Sequence, residues 1–234
     1  MGLIRFGNAD YSLYFIIACI LMFISTLCCI TAFAAPYWTA RYQDTPKDFR
    51  HIGLWELCLY KYRHYKDDLQ KPYTGCFWFW ANDMYRFRDW IIPPWFKWVQ
   101  AFATLAFIFT IVLMSAIAVA LFSTFRWRWI SILIFGIISV AICILEVLAI
   151  AIYGVRGQDR LWMPRPEFNF FSFGYWLEFC AAVGAFFASI LFFMDARWLR
   201  SPYDAVDEKR SQNRKSPSNG SHLLLTNSSV KTSV

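Results

Sequence analysis

Gly53-Leu54-Trp55-Glu56-Leu57-Cys58, answered by Cys76 in the same polar loop, decides how the rest of the chain reads. Long apolar runs flank this loop. The first, Tyr11 to Ala40, contains no charged side chain, and neither does the stretch between Lys97 and Arg126. Each exceeds the roughly 20 apolar residues that cross the hydrocarbon of a bilayer. A third run lies between Arg128 and Arg156, with Glu146 inside it, and a fourth between Glu167 and Asp195, with Glu178 near its start. Composition agrees: 58% of residues are hydrophobic and only 17% charged, more apolar surface than a soluble fold of 234 residues hides. The net charge of +7 is spread over loops and tail. It forms no basic stripe on a binding module, which argues against a nucleic-acid partner.

The expected order is a cytoplasmic N-terminus (1–10), spans at 11–35, 98–125, 129–153 and 173–194, an extracellular loop at 36–97 and a shorter one at 154–172. A cytoplasmic turn at 126–128 and a disordered cytoplasmic tail at 195–234 complete it. Four spans put both termini on one side. The Arg126-Trp127-Arg128 turn and the basic residues of the tail place that side in the cytoplasm. The first loop is also rich in Lys and Arg, but loops of about 60 residues largely escape the charge rule. Trp38, Trp90, Trp95, Trp98, Trp127, Trp129, Trp162 and Trp176 fall near span ends, where indole rings favour the interface. Ala32-Phe33-Ala34 has the small-x-small form of a signal-peptide cleavage site. The apolar core before it is too long for such a signal, and Pro36 follows closely.

Within the long loop, Ile52 to Tyr62 is rich in aromatic and aliphatic residues without a helical period and reads as a strand, as do Tyr37 to Tyr42 and Thr74 to Trp80. Cys58 and Cys76, in an oxidising extracellular compartment, are expected to pair. A sheet this small needs such a staple. The alternative, a metal site using His51 or His64, matches no ligand-spacing template. Cys19, Cys28, Cys29, Cys143 and Cys180 fall in apolar runs and read as small packing residues.

Pro36-Tyr37-Trp38, Gly53-Leu54-Trp55, Cys58 and Cys76 together resemble the first-loop signature of the claudin superfamily, the claudin-like and peripheral-myelin-protein-like four-span proteins. The resemblance implies an all-α membrane four-helix bundle with a small extracellular antiparallel β-sheet, built from the first loop and one strand of the second. It also implies that Trp38, Gly53, Leu54 and Trp55 anchor the sheet to the outer end of the bundle, and that Cys58 and Cys76 form its disulfide. The wide spacing of the two cysteines, the lack of a basic residue around Gln100 to Thr104 and the absence of a cysteine at a cytoplasmic span end make the chain most like a divergent member, such as an invertebrate septate-junction claudin. The function so implied is that of an integral component of an occluding junction, septate or tight, at the lateral cell–cell contact of the plasma membrane. The sheet would contribute to a paracellular barrier by meeting other claudin-like or junction proteins in cis or in trans. An auxiliary subunit of an ion channel or receptor is the alternative, since related four-span families share the motif.

The last residues, Lys231-Thr232-Ser233-Val234, resemble a PDZ ligand, with Thr232 two places before Val234; a PDZ-domain scaffold would take them by strand addition. Glu146, deep in the third span with no intramembrane Lys or Arg, is either a functional residue or a carboxyl satisfied by a neighbouring Ser or Thr. Glu178 is expected to reach headgroups or the second loop. Ala181, Gly184, Ala185, Ala188 and Ser189 recur at helical spacing as a packing face within the bundle. Tyr60, Tyr62, Tyr65, Phe77 and Trp78 are candidate adhesive side chains. Lys61, Arg63, Lys66, Asp67 and Asp68 are either a solvated edge or the lining of an ion path. Asn219 and Asn227 begin glycosylation sequons that this topology leaves unused. No nucleophile with a base, His-rich cluster or phosphate loop suggests an enzyme or a cofactor. Membrane lipid is the one partner that composition alone implies.

Overall fold

The computed structural model describes residues 3–6, 9–42, 49–63, 71–122, 128–163 and 165–215. A hairpin of β1 (Leu3–Phe6) and β2 (Ala9–Ser12) leads into α1 (Leu13–Ala34). Ser12 caps this helix: its Oγ accepts from the Phe15 amide at 3.2 Å and donates to Asp195. At the other end Ala35 is still bonded to the Thr31 carbonyl, and Pro36 cannot continue the ladder. The loop supplies β3 (Thr39–Arg41), β4 (Phe49–Ile52), β5 (Glu56–Tyr62) and β6 (Tyr73–Trp78). A 3₁₀ segment at Asn82–Phe87 and the short α2 (Arg88–Ile91) then bring the chain to α3 (Pro94–Phe122). Proline in the first turn of α3 costs nothing, because its missing N–H has no helical partner there. The helix α4 (Arg128–Arg156), a 3₁₀ turn at Pro166–Phe168, β7 (Asn169–Phe171) and α5 (Phe173–Lys215) complete the order.

Among the described residues, four helices are long and apolar enough to cross a membrane: Leu13–Ala34, Pro94–Leu121, Trp129–Arg156 and Phe173–Arg200. They form a ring in which α1 touches α5, α5 touches α4, α4 touches α3 and α3 returns to α1. On α1 the inward residues Phe15, Ala18, Met22, Ser25, Cys29 and Ala32 recur every three or four positions, while Ile20, Phe23, Ile24 and Leu27 face outward. Outward Ile108 and Val112 on α3, Ile137 and Ile144 on α4, and Phe186 and Phe187 on α5 extend the apolar surface that lipid covers.

Lipid tails are as apolar as leucine, so association of the helices rests on close packing and hydrogen bonds. The small-residue face of α5 does this work within the bundle. Ala181, Ala185, Ala188 and Ser189 are buried, and a Cβ on Gly184 would come within 3.0 Å of the Ser25 Cβ. Ser25 and Ser139 donate across the interfaces to the Ala181 and Ala185 carbonyls at 2.8 and 2.9 Å.

The sheet is antiparallel throughout, in the order β6-β5-β4-β3-β7, so one strand of the second loop joins four of the first. Its inner face shares a core with the ends of α3 and α4, through Ile52, Leu54, Leu57, Phe79, Phe96 and Tyr153.

Three expectations need correction. Ile52 to Tyr62 is not one strand: β4 ends at Ile52 and β5 begins at Glu56, and the Gly53 amide bonds the Glu56 carbonyl at 2.9 Å to close a turn. The turn forms because backbone passes directly over Gly53, where a Cβ would lie 2.5 Å from the Ala35 oxygen and the Pro36 Cα. The loop also contains helical turns before α3, which begins at Pro94 rather than 98. Beyond Ser201 the chain is helical to Lys215 rather than disordered; Ala205, Glu208, Lys209, Arg210, Gln212 and Arg214 are good helix formers that extend a helix already nucleated by the span. The turn at residues 126–128 lies outside the described residues except for Arg128, the first residue of α4.

Gly53→Ala tests the close approach. The added methyl meets backbone that cannot swing away, so a loss of roughly 1–3 kcal/mol is expected. It is to be measured as a lowered unfolding temperature of the detergent-solubilised protein, against a neutral substitution at exposed Tyr85.

Candidate functional site: a stapled sheet seated on the bundle

The residues singled out in the sequence occupy two levels of one assembly. Trp38 is fully buried, and its Nε1 donates to the Ala32 carbonyl at 2.9 Å. That carbonyl belongs to the last turn of α1, where no amide of the helix is left to bond it. The indole meets the Tyr153 ring edge-on at 5.0 Å, and the Tyr153 hydroxyl bonds the Thr39 hydroxyl at 2.8 Å. Backbone bonds from Trp38 to Ile52, from Ser172 to Trp38 and from Gly174 to Tyr37 tie β3 to β4 and to the start of α5. Leu54, also fully buried, points down into the shared core, and the Gln100 side-chain amide donates to its carbonyl at 2.6 Å. Trp55 turns the other way. Its ring stacks on Trp78 at 6.1 Å and meets Phe33 edge-on at 5.2 Å, beside an open groove of about 500 Å³.

Cys58 on β5 and Cys76 on β6 face each other in register and form a disulfide. The bond ties β5 to β6, whose inner residues Leu57, Leu59 and Tyr73 share a core with Ile91 of α2. His51 lies close to both sulfurs, but the disulfide uses the thiols that a metal would need, so the alternative reading of this trio as a metal site fails. His64 lies outside the described residues.

A family model described as PMP-22/EMP/MP20/Claudin tight junction matches residues 23–194. The chain belongs to this claudin family. No curated protein matches it. The matched span takes in the stapled sheet and most of each of the four helices, so family membership and the geometry describe the same unit.

Within this claudin-family site the second loop is seated as firmly as the first. The Trp162 indole donates to the Ile91 carbonyl at 3.0 Å and meets the Trp95 ring edge-on at 4.9 Å. Neither Trp162 nor Gln100 was read from the sequence as an anchor. A lone amide at the head of an apolar run was the available signal for Gln100.

The exposed aromatic surface differs from the expected one. Tyr62 stacks on Trp90, Tyr60 is covered by Arg50 and Lys61, and Phe77 is half-buried. Trp78 remains out, joined by Trp80 and Tyr85, with Arg88 over both of the latter rings. Tyr65, Lys66, Asp67, Asp68, Thr232 and Val234 lie outside the described residues.

Inside the bundle, Glu146 is fully buried as expected of its place in the third span. Glu178 corrects its expectation. It does not reach outward but is 1% exposed and turned toward Glu146 and Cys29, because its position on α5 falls on the inward face that Ala181 and Ala185 continue.

His51 carries a pH dependence. Burial holds its imidazole below the ordinary value of about 6.5, against the opposing Pro36 carbonyl, 2.9 Å from Nδ1, and the Glu56 carboxylate. The neutral ring is the one the fold favours, so its contribution is complete above the unfolded value and is lost as pH falls through the lower folded value. The unfolding temperature is expected to drop between pH 7 and pH 5, and His51→Gln to flatten that part of the profile.

Proposed function

We propose that this claudin-family protein is a non-enzymatic component of an occluding cell junction, with its sheet outside the cell and both termini in the cytoplasm. The sheet restricts paracellular leakage by meeting neighbours in the same membrane and across the cell gap. The observation that supports this best is the outer strand β6. Among the described strands it is the terminal one of the sheet, and it leads through Trp78 (53% exposed) into Trp80 (56% exposed). A terminal strand beside large exposed rings suits association with another chain. The disulfide keeps that strand in shape. The aromatic side chains supply area at low conformational cost.

The junction reading is tested by tracer flux across an epithelium depleted of the protein and rescued with wild type or with Trp78→Ala/Trp80→Ala. The wild type is expected to return to the lateral contact and to restore the barrier, and the double variant to reach the surface but leave the tracer leak. An intact barrier after depletion, with unchanged junction composition, overturns the reading.

The tail supports a second contact. Thr232 and Val234 fit a PDZ domain that adds the chain end to a sheet edge and takes the valine side chain in a pocket. Val234→Asp is expected to abolish capture by a PDZ scaffold and to loosen retention at the contact while leaving the folded core unchanged. Glycan on Asn219 or Asn227 would place the tail outside and overturn the topology.

A further inference from the structure

The bundle has two apolar cores, and a polar layer divides them. The core at the sheet end includes Val99, Ala103, Ala149 and Tyr153, and the core at the far end includes Met22, Leu113, Ile142 and Ala185. Between them each helix contributes one polar side chain: Cys29 from α1, Thr110 from α3, Glu146 from α4 and Glu178 from α5. All four are buried, none more than 1% exposed. The Cys29 Sγ and a carboxylate oxygen of each glutamate lie within 4.8 Å of one another, and Thr110 stands beside Cys29.

The layer's oxygens are under-satisfied. Among the described residues, no group stands at full hydrogen-bond geometry to either oxygen of Glu146 or of Glu178, and the side-chain donor turned toward Glu146 is the Cys29 thiol. The Thr110 hydroxyl also makes no bond to its own helix and faces Cys29, whereas Thr26, Thr104 and Ser115 each bond the carbonyl four residues earlier on their own helix. Helical hydroxyls ordinarily turn back in this way. Buried carboxyl groups without hydrogen bonds or a cation are costly, most of all at membrane depth. Four groups from four helices, open toward one another, have the arrangement of a ligand set.

We propose that Cys29, Glu146 and Glu178 bind one divalent cation of the zinc class inside the membrane, with the Thr110 hydroxyl or a water completing four-coordination. The donor set selects the ion. A thiolate with carboxylates suits zinc and its borderline neighbours, whereas magnesium and calcium seek six or more oxygens. Tetrahedral zinc with bonds of 2.0–2.3 Å holds its ligand atoms about 3.5 Å apart, so closure by roughly 1 Å brings these three to bonding distance. Thiolate plus one carboxylate balances the ion's two charges; the second glutamate, retaining its proton, can ligate through its carbonyl oxygen. Loading would accompany assembly of the helices, since the three ligands come from three different spans. The site is separate from the sheet and does not depend on the junction reading.

The test uses the full chain, produced in zinc-supplemented cells and purified in detergent micelles. Elemental mass spectrometry is expected to find one zinc per chain. Cobalt grown in its place is expected to give a thiolate-to-cobalt charge-transfer band together with tetrahedral visible absorption. Cys29→Ser removes the charge-transfer band, whereas Cys143→Ser and Cys180→Ser keep it. Glu146→Ala and Glu178→Ala, which remove the ligand oxygen altogether, each weaken zinc retention against a competing chelator by more than the roughly 10–100-fold caused by losing an outer-shell partner. If either Ala variant fails to fold by circular dichroism, the cobalt spectra of the three cysteine variants carry the decision. Chain that emerges metal-free, with infrared absorption of two protonated carboxylic acids, overturns the proposal, as does cobalt bound without the thiolate band or unaffected by Cys29→Ser.

Discussion

The bond from the Trp38 indole to the Ala32 carbonyl joins two structures that otherwise obey different rules. A transmembrane helix satisfies its own backbone except at its ends, and the last turn of α1 opens where the sheet begins. An indole can close that end because it carries one donor on a large apolar body. Here the body fills the space beneath β3 and packs on Tyr153, while the donor reaches back to the helix. Tyr153 in turn fixes Thr39, the residue that follows Trp38 in the chain, so both ends of this contact are held by the same strand. A phenylalanine at position 38 would fill much of the volume and still leave the Ala32 carbonyl without its donor.

The sheet depends on that seat because it is too small to stand alone. Five short strands with one face covered bury little area, and isolated sheets of this size are marginal. Stability therefore comes from three unlike sources at three places. The apolar face settles on the ends of α3 and α4 through Leu54, Leu57 and Phe96. The Gln100 amide holds the turn at Leu54 from below. The disulfide secures β5 against β6, the last strand in the sheet order. Rigidity is thus greatest where the sheet meets the bundle, and the covalent bond extends it to the terminal strand β6.

Helix existence and cysteine pairing were legible because each follows from a local feature: an uncharged run of sufficient length, and two cysteines in one loop. What was not legible depends on the direction a side chain takes in the assembled fold. Gly53-Leu54-Trp55 has strand composition, and only the passage of Ala35 and Pro36 over Gly53 turns it into a corner. Leu54 and Trp55 are neighbours in sequence, yet one enters the core and the other joins an outer stack. Glu178 lies near a span end, which suggested headgroups, but the angular position of α5 within the ring turns it inward. The helix beyond Ser201 is a case of context over composition. Residues of polar character propagate a helix once a long span has nucleated it.

The polar layer has a consequence for folding whatever its occupant. Apolar helices in lipid can slide past one another with little change in energy, because the tails and the side chains are alike. Small residues allow close approach but repeat along α5, so they fit at more than one height. Polar groups do not repeat in this way. With Cys29, Thr110, Glu146 and Glu178 each confined to one level, a shift of α4 by a single turn would carry Glu146 out of the layer and into apolar surroundings. The cost of a buried carboxyl among apolar side chains exceeds that of any single lost packing contact. Ser25 and Ser139, bonded to particular carbonyls of α5, act in the same sense. Small side chains thus permit the bundle to close, and its polar groups select the height at which it does so.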